Sequence, residues 1–286
     1  MQTGHPPLFD AAAVAHAGAR ASRIQGERFL VQAGADGLAD RLAAVTRRFD
    51  RGLWIGDSAQ TIPAPLAGFA HGWDRAQFGT ADALQAPSQG YDLAVSLFSL
   101  QTVNDLPGAL IQIRRILKPD GLFVAALLGG STLAELRESF AHGETETLGG
   151  ISPRVSPFVD VRDAGALLQR AGFALPVSDV ERLLVRYGDF FGLARDLRAH
   201  GFTNVLSQRS RKPLRRDTLG AVLTHYGARH GDHDGRIRAR FETLYLTGWA
   251  PHESQQKPLA PGSAKTRLAD ALGTVEETIE SRSPKR

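Results

Sequence analysis

The sequence contains no cysteine, and its single methionine is Met1. The absence of cysteine excludes disulfide bonds, a thiolate nucleophile, cysteine-ligated zinc and cysteine-held iron–sulfur clusters. The absence of internal methionine excludes an adaptable binding surface built from methionine side chains. No apolar run reaches the ~20 residues that a membrane-spanning helix requires. We therefore expect a soluble protein without a membrane span.

Lysine is also scarce, since only five of the 34 basic residues are lysine in this 286-residue chain of net charge +4. The basic residues are spread out, with one denser stretch at 209–216. A nucleic-acid interface needs a clustered basic stripe, so we interpret this stretch as a solvated surface and expect no nucleic-acid partner. The N-terminus, 1–23, lacks the features of a signal peptide. The arginine bias and this N-terminus favour the cytoplasm of a bacterium, or the mitochondrial matrix in a eukaryote.

Short apolar segments alternate with helical patterns through the first half of the chain. The segments 91–100 and 122–128 are nearly continuous apolar runs, which are typical of strands buried on both faces of a parallel sheet. Between them, helical spacing is kept by Leu106, Leu110, Ile113 and Leu117. Two more strands are predicted at 52–57 and 66–70. This alternation predicts a doubly wound α/β sheet with helices on both faces.

The pattern changes after residue 130. We predict helices over 161–171 and 189–200 and strands over 177–187 and 236–249. The stretch between these late strands is interpreted as a helical lid insertion before the last strand. The predicted organisation is an N-terminal helical segment (1–50), a sheet core (51–187), the lid (188–235), the last strand with a C-terminal cap (236–272), and a flexible tail (273–286).

The run from Tyr91 to Gly130, with NDLPGALIQIRRILKPDGLFVAALLGG at its centre, resembles the middle of class I S-adenosylmethionine (SAM) dependent methyltransferases, the type-11 methyltransferase domain. Further blocks resemble the mitochondrial complex I assembly factor five family of arginine hydroxylases and its bacterial relatives; they are ETETLGGISPRVSPFVDVRDAGALLQRAGF and YLTGWAPHESQQKPLAPGSA. The resemblance covers most of 25–265. It implies a Rossmann-like class I methyltransferase fold, SAM as cofactor, and action on a protein side chain, arginine, of a respiratory complex I subunit.

The resemblance also implies a set of cofactor contacts, namely Gly56, Asp57, Asp82 and Leu97. The turn after the first strand, 54–60, keeps only Gly56 of the usual three glycines, which let the backbone approach the cofactor closely. The position of the acid that accepts bonds from the ribose aligns with His71. Two interpretations stay open: SAM binds through an altered loop, or the fold has lost its cofactor.

Candidate substrate contacts fall in two of the resembling blocks. Glu144 and Glu146 are interpreted as an acidic loop over the cleft, where carboxylates would pair with an arginine substrate, with Arg154 nearby. His252 and Gln255 follow the last strand and are further candidates. No residue in the sequence is assigned as catalytic.

Other interpretations of the sequence lead to different functions. His230 and Asp232, joined by His252, have the composition of an iron site with two histidines and one carboxylate. The surrounding HGDHDG sequence is more typical of a turn, so we expect no metal. The alternatives to a protein-modifying enzyme are a methyltransferase for a small molecule or carrier-protein ester, and a non-catalytic scaffold that has lost SAM binding.

Overall fold

The computed structural model describes residues 6–24, 28–56, 61–79, 81–256, 270–271 and 273–274. The chain divides into two compact units, Met1–His252 and Glu253–Arg286. The sheet and its helices belong to the first unit. The predicted tail, 273–286, and the second half of the predicted cap lie almost entirely outside the described residues. The predicted domain bounds therefore stay predictions.

A seven-stranded mixed sheet forms the centre of the first unit. Its strands are β1 (Phe49–Ile55), β2 (Ala70–Phe78), β3 (Leu84–Gln85), β4 (Tyr91–Leu97), β5 (Leu117–Leu128), β6 (Ala174–Tyr187) and β7 (Ile237–Trp249), in the order β3-β2-β1-β4-β5-β7-β6. Strands β2, β1, β4 and β5 are parallel neighbours, whereas β3, β7 and β6 pair antiparallel with theirs. The strand order reverses between β1 and β4, which is where open α/β sheets bind ligands.

Helices cover both faces of this sheet, as the sequence predicts. They are α1 (Ala11–Arg23), α2 (Phe29–Ala43), α3 (Ala64–Ala67), α4 (Leu106–Ile116), α5 (Ala134–Leu148), α6 (Val161–Arg170), α7 (Phe190–Ala199) and α8 (Arg216–His230). Helices α2 and α3 pack against one face around Trp54, and α4 and α6 against the other around Leu53. Every residue of β4 is buried, which explains its continuous apolar run. None of the described helices is both long and apolar enough to cross a membrane.

The second strand does not lie where the sequence predicts it. The prediction of a strand over 66–70 is wrong, because Leu66 belongs to α3 and β2 runs from Ala70 to Phe78. Only Ala70 and Ala76 of β2 are buried, so no apolar run marks the strand. Its register comes from pairing with β1. His71 therefore lies at the start of β2, and the carboxyl end of the strand carries Gln77.

The segment between β6 and β7, residues 188–236, contains α7 and α8, where the helical insertion was predicted; we call it the lid segment. It packs with α5 over a separate apolar core that includes Leu133, Leu193 and Tyr226. The N-terminal segment also contacts it, because Phe9 forms an antiparallel bridge with Leu206. The insertion is therefore present, and its opening and closing stay a prediction.

Candidate functional site

A cavity of about 270 Å³ lies between the lid segment and the carboxyl ends of β4 and β5. The turn after β4 contributes Gln101 and Thr102, and β5 contributes Leu128. Its walls are mainly apolar and include Leu133, Leu136, Phe140, Phe190, Leu193, Leu197 and Phe202. Carboxyl ends of parallel strands are the ligand-binding edge of such sheets. The cavity thus lies at this ligand-binding edge and is lined mainly by apolar side chains.

The carboxylate of Glu144 is completely buried behind the cavity wall. Its oxygens accept hydrogen bonds from Ser152 N at 2.6 Å and from Arg154 Nε and Nη2 at 2.7 and 2.5 Å. Burial acts to raise the pKa of Glu144, but the hydrogen bonds from Ser152 and Arg154 outweigh it and the pKa lies below its ordinary value. Arg154 lines the cavity and lies over the Phe140 ring at 5.3 Å. Glu144 therefore fixes Arg154 in the wall.

The candidate substrate residues of the first unit do not converge on one site. The interpretation of Glu144 and Glu146 as parts of a loop is wrong, because α5 continues to Leu148. Glu146 is exposed on that helix and its carboxylate lies 3.6 Å from His142 Nδ1. His252 is exposed and is not among the cavity-lining residues, and Gln255 belongs to the second unit. Within the described part of the first unit, Glu144 and Arg154 are brought together, and a substrate contact by any of the five candidates stays a prediction.

The turn after β4 joins the sheet to the lid segment. Phe98 has a φ of +52°, a left-handed conformation that strains a non-glycine residue and is found mainly at ligand sites and switches. Its ring meets that of Phe202 edge-on at 5.5 Å. Gln101, which lines the cavity, accepts a hydrogen bond through Oε1 from Leu128 N at 2.9 Å. The turn is thus held from both sides.

The crevice where the strand order reverses lies at the carboxyl ends of β1 and β4. Gly56 N donates to Ala76 O at 3.0 Å, and Ser99 Oγ donates to Ile55 O at 2.9 Å, so the ends of three strands are joined there. Leu97 is buried, and a Cβ added at Gly34 of α2 would lie 2.8 Å from its side chain. Leu97 therefore faces α2. Asp57, the remaining candidate in this turn, lies outside the described residues.

Two polar groups lie at the outer edge of this crevice. The Asp82 carboxylate accepts a hydrogen bond from Asp105 N at 3.0 Å, and Asp82 is half-buried with a φ of +52°. Gln77 is exposed at the carboxyl end of β2, where the resemblance places a ribose-binding acid. Gln77 is not among the residues predicted from the sequence, because the second strand was predicted too early in the chain. An amide offers the ribose hydroxyls both a donor and an acceptor.

The histidine and the aspartate considered for iron have different neighbours. His230 ends α8, with Nε2 3.3 Å from the Glu138 carboxylate. The Asp232 carboxylate pairs with Arg186 Nε at 2.6 Å. In the part of the chain that the structure describes, no three His, Asp or Glu side chains are placed to hold a metal ion.

The fold and the crevice are typical of one class of protein, and the comparisons with known families support the assignment to that class. Residues 6–176 match the family described as a methyltransferase domain. That match covers more than half of the chain, and the chain belongs to this family. The Rossmann-like methyltransferase sheet predicted from the sequence is confirmed.

Particular relatives carry more specific names. The chain is 46% identical over 189 residues to the mitochondrial arginine-hydroxylase NDUFAF5 of Homo sapiens, covering 66% of this chain and 54% of that protein. It is 35% identical over 207 residues to a malonyl-[acyl-carrier protein] O-methyltransferase of Methylovorus, covering 72% and 64%. The structure of YcgJ from Bacillus subtilis aligns with 14% identity and a TM-score of 0.49, covering 76% and 98%. The chain spans about half the length of the arginine-hydroxylase relatives it matches.

Proposed function

We propose that this chain is a SAM-dependent enzyme of the methyltransferase fold that modifies an arginine side chain in a protein, a subunit of respiratory complex I. The observation that carries the proposal is the cavity under the lid segment, which opens beside the end of β4. Its volume of about 270 Å³ and its apolar walls suit the aliphatic stem of a long side chain. The relatives named as arginine hydroxylases support arginine as that side chain. We place the protein in the bacterial cytoplasm or, in a eukaryote, in the mitochondrial matrix.

The crevice residues fit SAM by position and donor chemistry. Gly56 presents backbone without a side chain at the end of β1, and Gln77 offers an amide to the ribose. Asp82 lies at the adenine side with its carboxylate already oriented by Asp105 N. SAM supplies an activated methyl group when it is bound. A neutral amide in place of a carboxylate weakens the ribose contact, since charged acceptors form the stronger hydrogen bonds.

Protein groups around the cavity orient the acceptor and exclude water. The ion pair between Arg154 and Glu144 adds no net charge to the wall. Arg198 also lines the cavity but is exposed, so solvent screens its repulsion of an incoming guanidinium. Gln101 lines the cavity beside the end of β4. Holding the acceptor in one orientation is the main contribution that such a site makes to rate.

A second candidate function is methylation of a carboxylate on a carrier protein. Arg154 and Arg198 both line the cavity, whereas no carboxylate does among the residues described. An anionic acceptor would find a counter-charge in Arg198, and the relative named for malonyl-carrier methylation is consistent with it.

One experiment separates these functions. The purified chain is titrated with SAM by calorimetry and then incubated with SAM and either an arginine-containing peptide or a malonyl carrier protein. A gain of one methyl group on the peptide, measured by mass spectrometry, supports the proposed function. A methyl group on the carrier alone supports the second candidate. Saturable SAM binding is expected below about 100 μM, equivalent to roughly 5.5 kcal/mol. The absence of both binding and modification would indicate a non-catalytic scaffold.

A further inference from the structure

A second cavity of about 490 Å³ lies beside the first, between the N-terminal segment and the lid segment. Prolines contribute much of its lining, at Pro6, Pro7, Pro153 and Pro157. Leu8 also lines it and is 48% exposed. Proline lacks a backbone N–H and has a fixed φ, so this surface is rigid and poor in backbone donors. It suits an extended chain that contacts it through side chains.

The two cavities share part of their walls. Val155 and Phe158 line both of them, and Val205 of the first cavity adjoins Leu206 of the second. A chain lying in the second cavity would therefore pass within one residue of the first. A long side chain of that bound chain would extend toward the first cavity at the shared residues Val155 and Phe158.

A strongly basic segment, residues 209–216, begins next to the second cavity. Gln208 lines the cavity, and the basic side chains that follow are Arg209, Arg211, Lys212, Arg215 and Arg216. Asp10 pairs with Arg209 and Arg211, at 3.0 and 3.1 Å, and Asp217 pairs with Arg215. Lys212 and Arg216 are exposed. Five cations thus face two carboxylates, which leaves the segment positive.

We propose that the second cavity and the basic segment together form a docking surface for an acidic, extended segment of a protein substrate. The positive segment attracts carboxylates, and the proline-lined cavity receives the apolar side chains between them. A single-stranded nucleic acid is disfavoured because the basic segment contains no aromatic residue on which bases would stack. The inference rests on the proposed function only in naming which side chain enters the first cavity.

The test measures binding without any catalytic step. A fluorescent peptide with a central arginine flanked by glutamates and leucines is titrated with the full chain. A matched peptide carries glutamine in place of each glutamate. We expect the acidic peptide to bind at least about tenfold more tightly than the glutamine peptide, with the difference shrinking as salt rises.

Variants locate the binding. Lys212→Glu combined with Arg216→Glu is expected to weaken binding of the acidic peptide about tenfold. The matched control, Arg48→Glu with Arg115→Glu, makes the same charge change at exposed positions outside the cavity linings and leaves binding unchanged. Leu8→Ser is expected to weaken binding severalfold through the apolar contact alone.

Several outcomes would overturn the docking surface. They are equal binding of the two peptides, an equal loss in both double variants, or tighter binding of an oligonucleotide of the same charge. Failure of the proposed function looks different: the acidic peptide would bind as expected but would gain no methyl group in the presence of SAM. If the Lys212→Glu with Arg216→Glu variant modifies the peptide as well as the unaltered chain does, the proposed function is retained and the docking surface is refuted.

Discussion

The side chain of Asn104 bonds both main-chain groups of Phe9. Its Oδ1 accepts from Phe9 N at 2.7 Å, and its Nδ2 donates to Phe9 O at 3.3 Å. Asn104 does not cap α4, because the next residue, Asp105, does so by accepting a hydrogen bond from Gly108 N. The amide is therefore used to hold the N-terminal segment against the turn that follows β4. That segment in turn pairs with Leu206 of the lid segment.

Asn104→Ala should release the N-terminal segment. Two hydrogen bonds to a buried residue are lost, and we expect a destabilisation of about 1–2 kcal/mol. Hydrogen exchange should accelerate at Asp10 N and Ser207 N, which donate hydrogen bonds between the N-terminal segment and the lid segment. The exposed Gln89→Ala serves as control and should leave exchange unaltered. Unaltered hydrogen exchange in Asn104→Ala would show that the hydrogen bonds of the Asn104 side chain do not hold the N-terminal segment in place.

Glu144→Gln should destabilise the fold by about 3 kcal/mol, because it leaves the Arg154 guanidinium in the wall without its counter-charge. Urea unfolding measures this. The control is Glu146→Gln on the same helix. Because the Glu146 carboxylate is exposed, this substitution should change the free energy of unfolding by less than about 1 kcal/mol. Adding Arg154→Met to Glu144→Gln should recover part of the loss. Equal effects of the two glutamine variants would contradict the assigned role of Glu144.

His200 should make stability depend on pH. Its Nε2 accepts from Leu30 N at 3.3 Å, and its Nδ1 contacts Asp196 O at 2.8 Å, so the ring is held neutral. Burial, with a smaller contribution from Arg28, lowers the pKa of His200 below its ordinary value of 6.5. The folded protein thus binds this proton less readily than the unfolded chain, and stability should fall as the pH drops below 6.5.

The slope contributed by His200 should reach at most about 1.4 kcal/mol per pH unit. Denaturant titrations at several pH values measure it, and His200→Gln should flatten that slope. His16→Gln, at an exposed position on α1, is the control and should retain the wild-type slope. A wild-type slope in His200→Gln would mean that another group, such as His225, carries the effect.

Two helical glycines should respond to alanine in opposite directions. A Cβ at Gly37 would lie 2.2 Å from the hydroxyl oxygen of Tyr245, whose ring is buried. The rigid ring cannot yield cheaply, so Gly37→Ala should cost about 1–3 kcal/mol despite better helix propensity. A Cβ at Gly227 meets nothing within 4 Å, and Gly227→Ala should stabilise by about 0.5–1 kcal/mol. Thermal unfolding of both variants checks this.

Gln77→Asp should strengthen SAM binding severalfold, since a carboxylate accepts hydrogen bonds from hydroxyls more strongly than an amide does. Gln77→Ala should weaken it. Calorimetric titration with SAM measures both variants against the unaltered chain. If the aspartate variant binds no better than the alanine variant, Gln77 does not contact the ribose, and the cofactor lies elsewhere along the crevice.

The sequence by itself determined the central strands. Residues in β4 and β5 are buried on both faces, so their apolar runs are continuous and visible without any tertiary information. The position of β2 was not visible, because one face of the strand is largely exposed and its pattern mixes polar and apolar residues. For that reason Gln77 emerged only when pairing with β1 fixed the strand.

The cavity and its electrostatics were decided only by the tertiary structure. Glu144 and Arg154 are close in sequence, and both are candidates that the resemblance supplies. Their burial at the cavity wall, however, results from tertiary packing. Arg198 lines the cavity because α7 is carried over the sheet edge, and no spacing in the sequence marks it. Phe9 and Asn104 lie 95 residues apart. Local sequence patterns reflect burial and helical periodicity, whereas contacts between distant segments depend on how the strands and helices of the whole fold pack together.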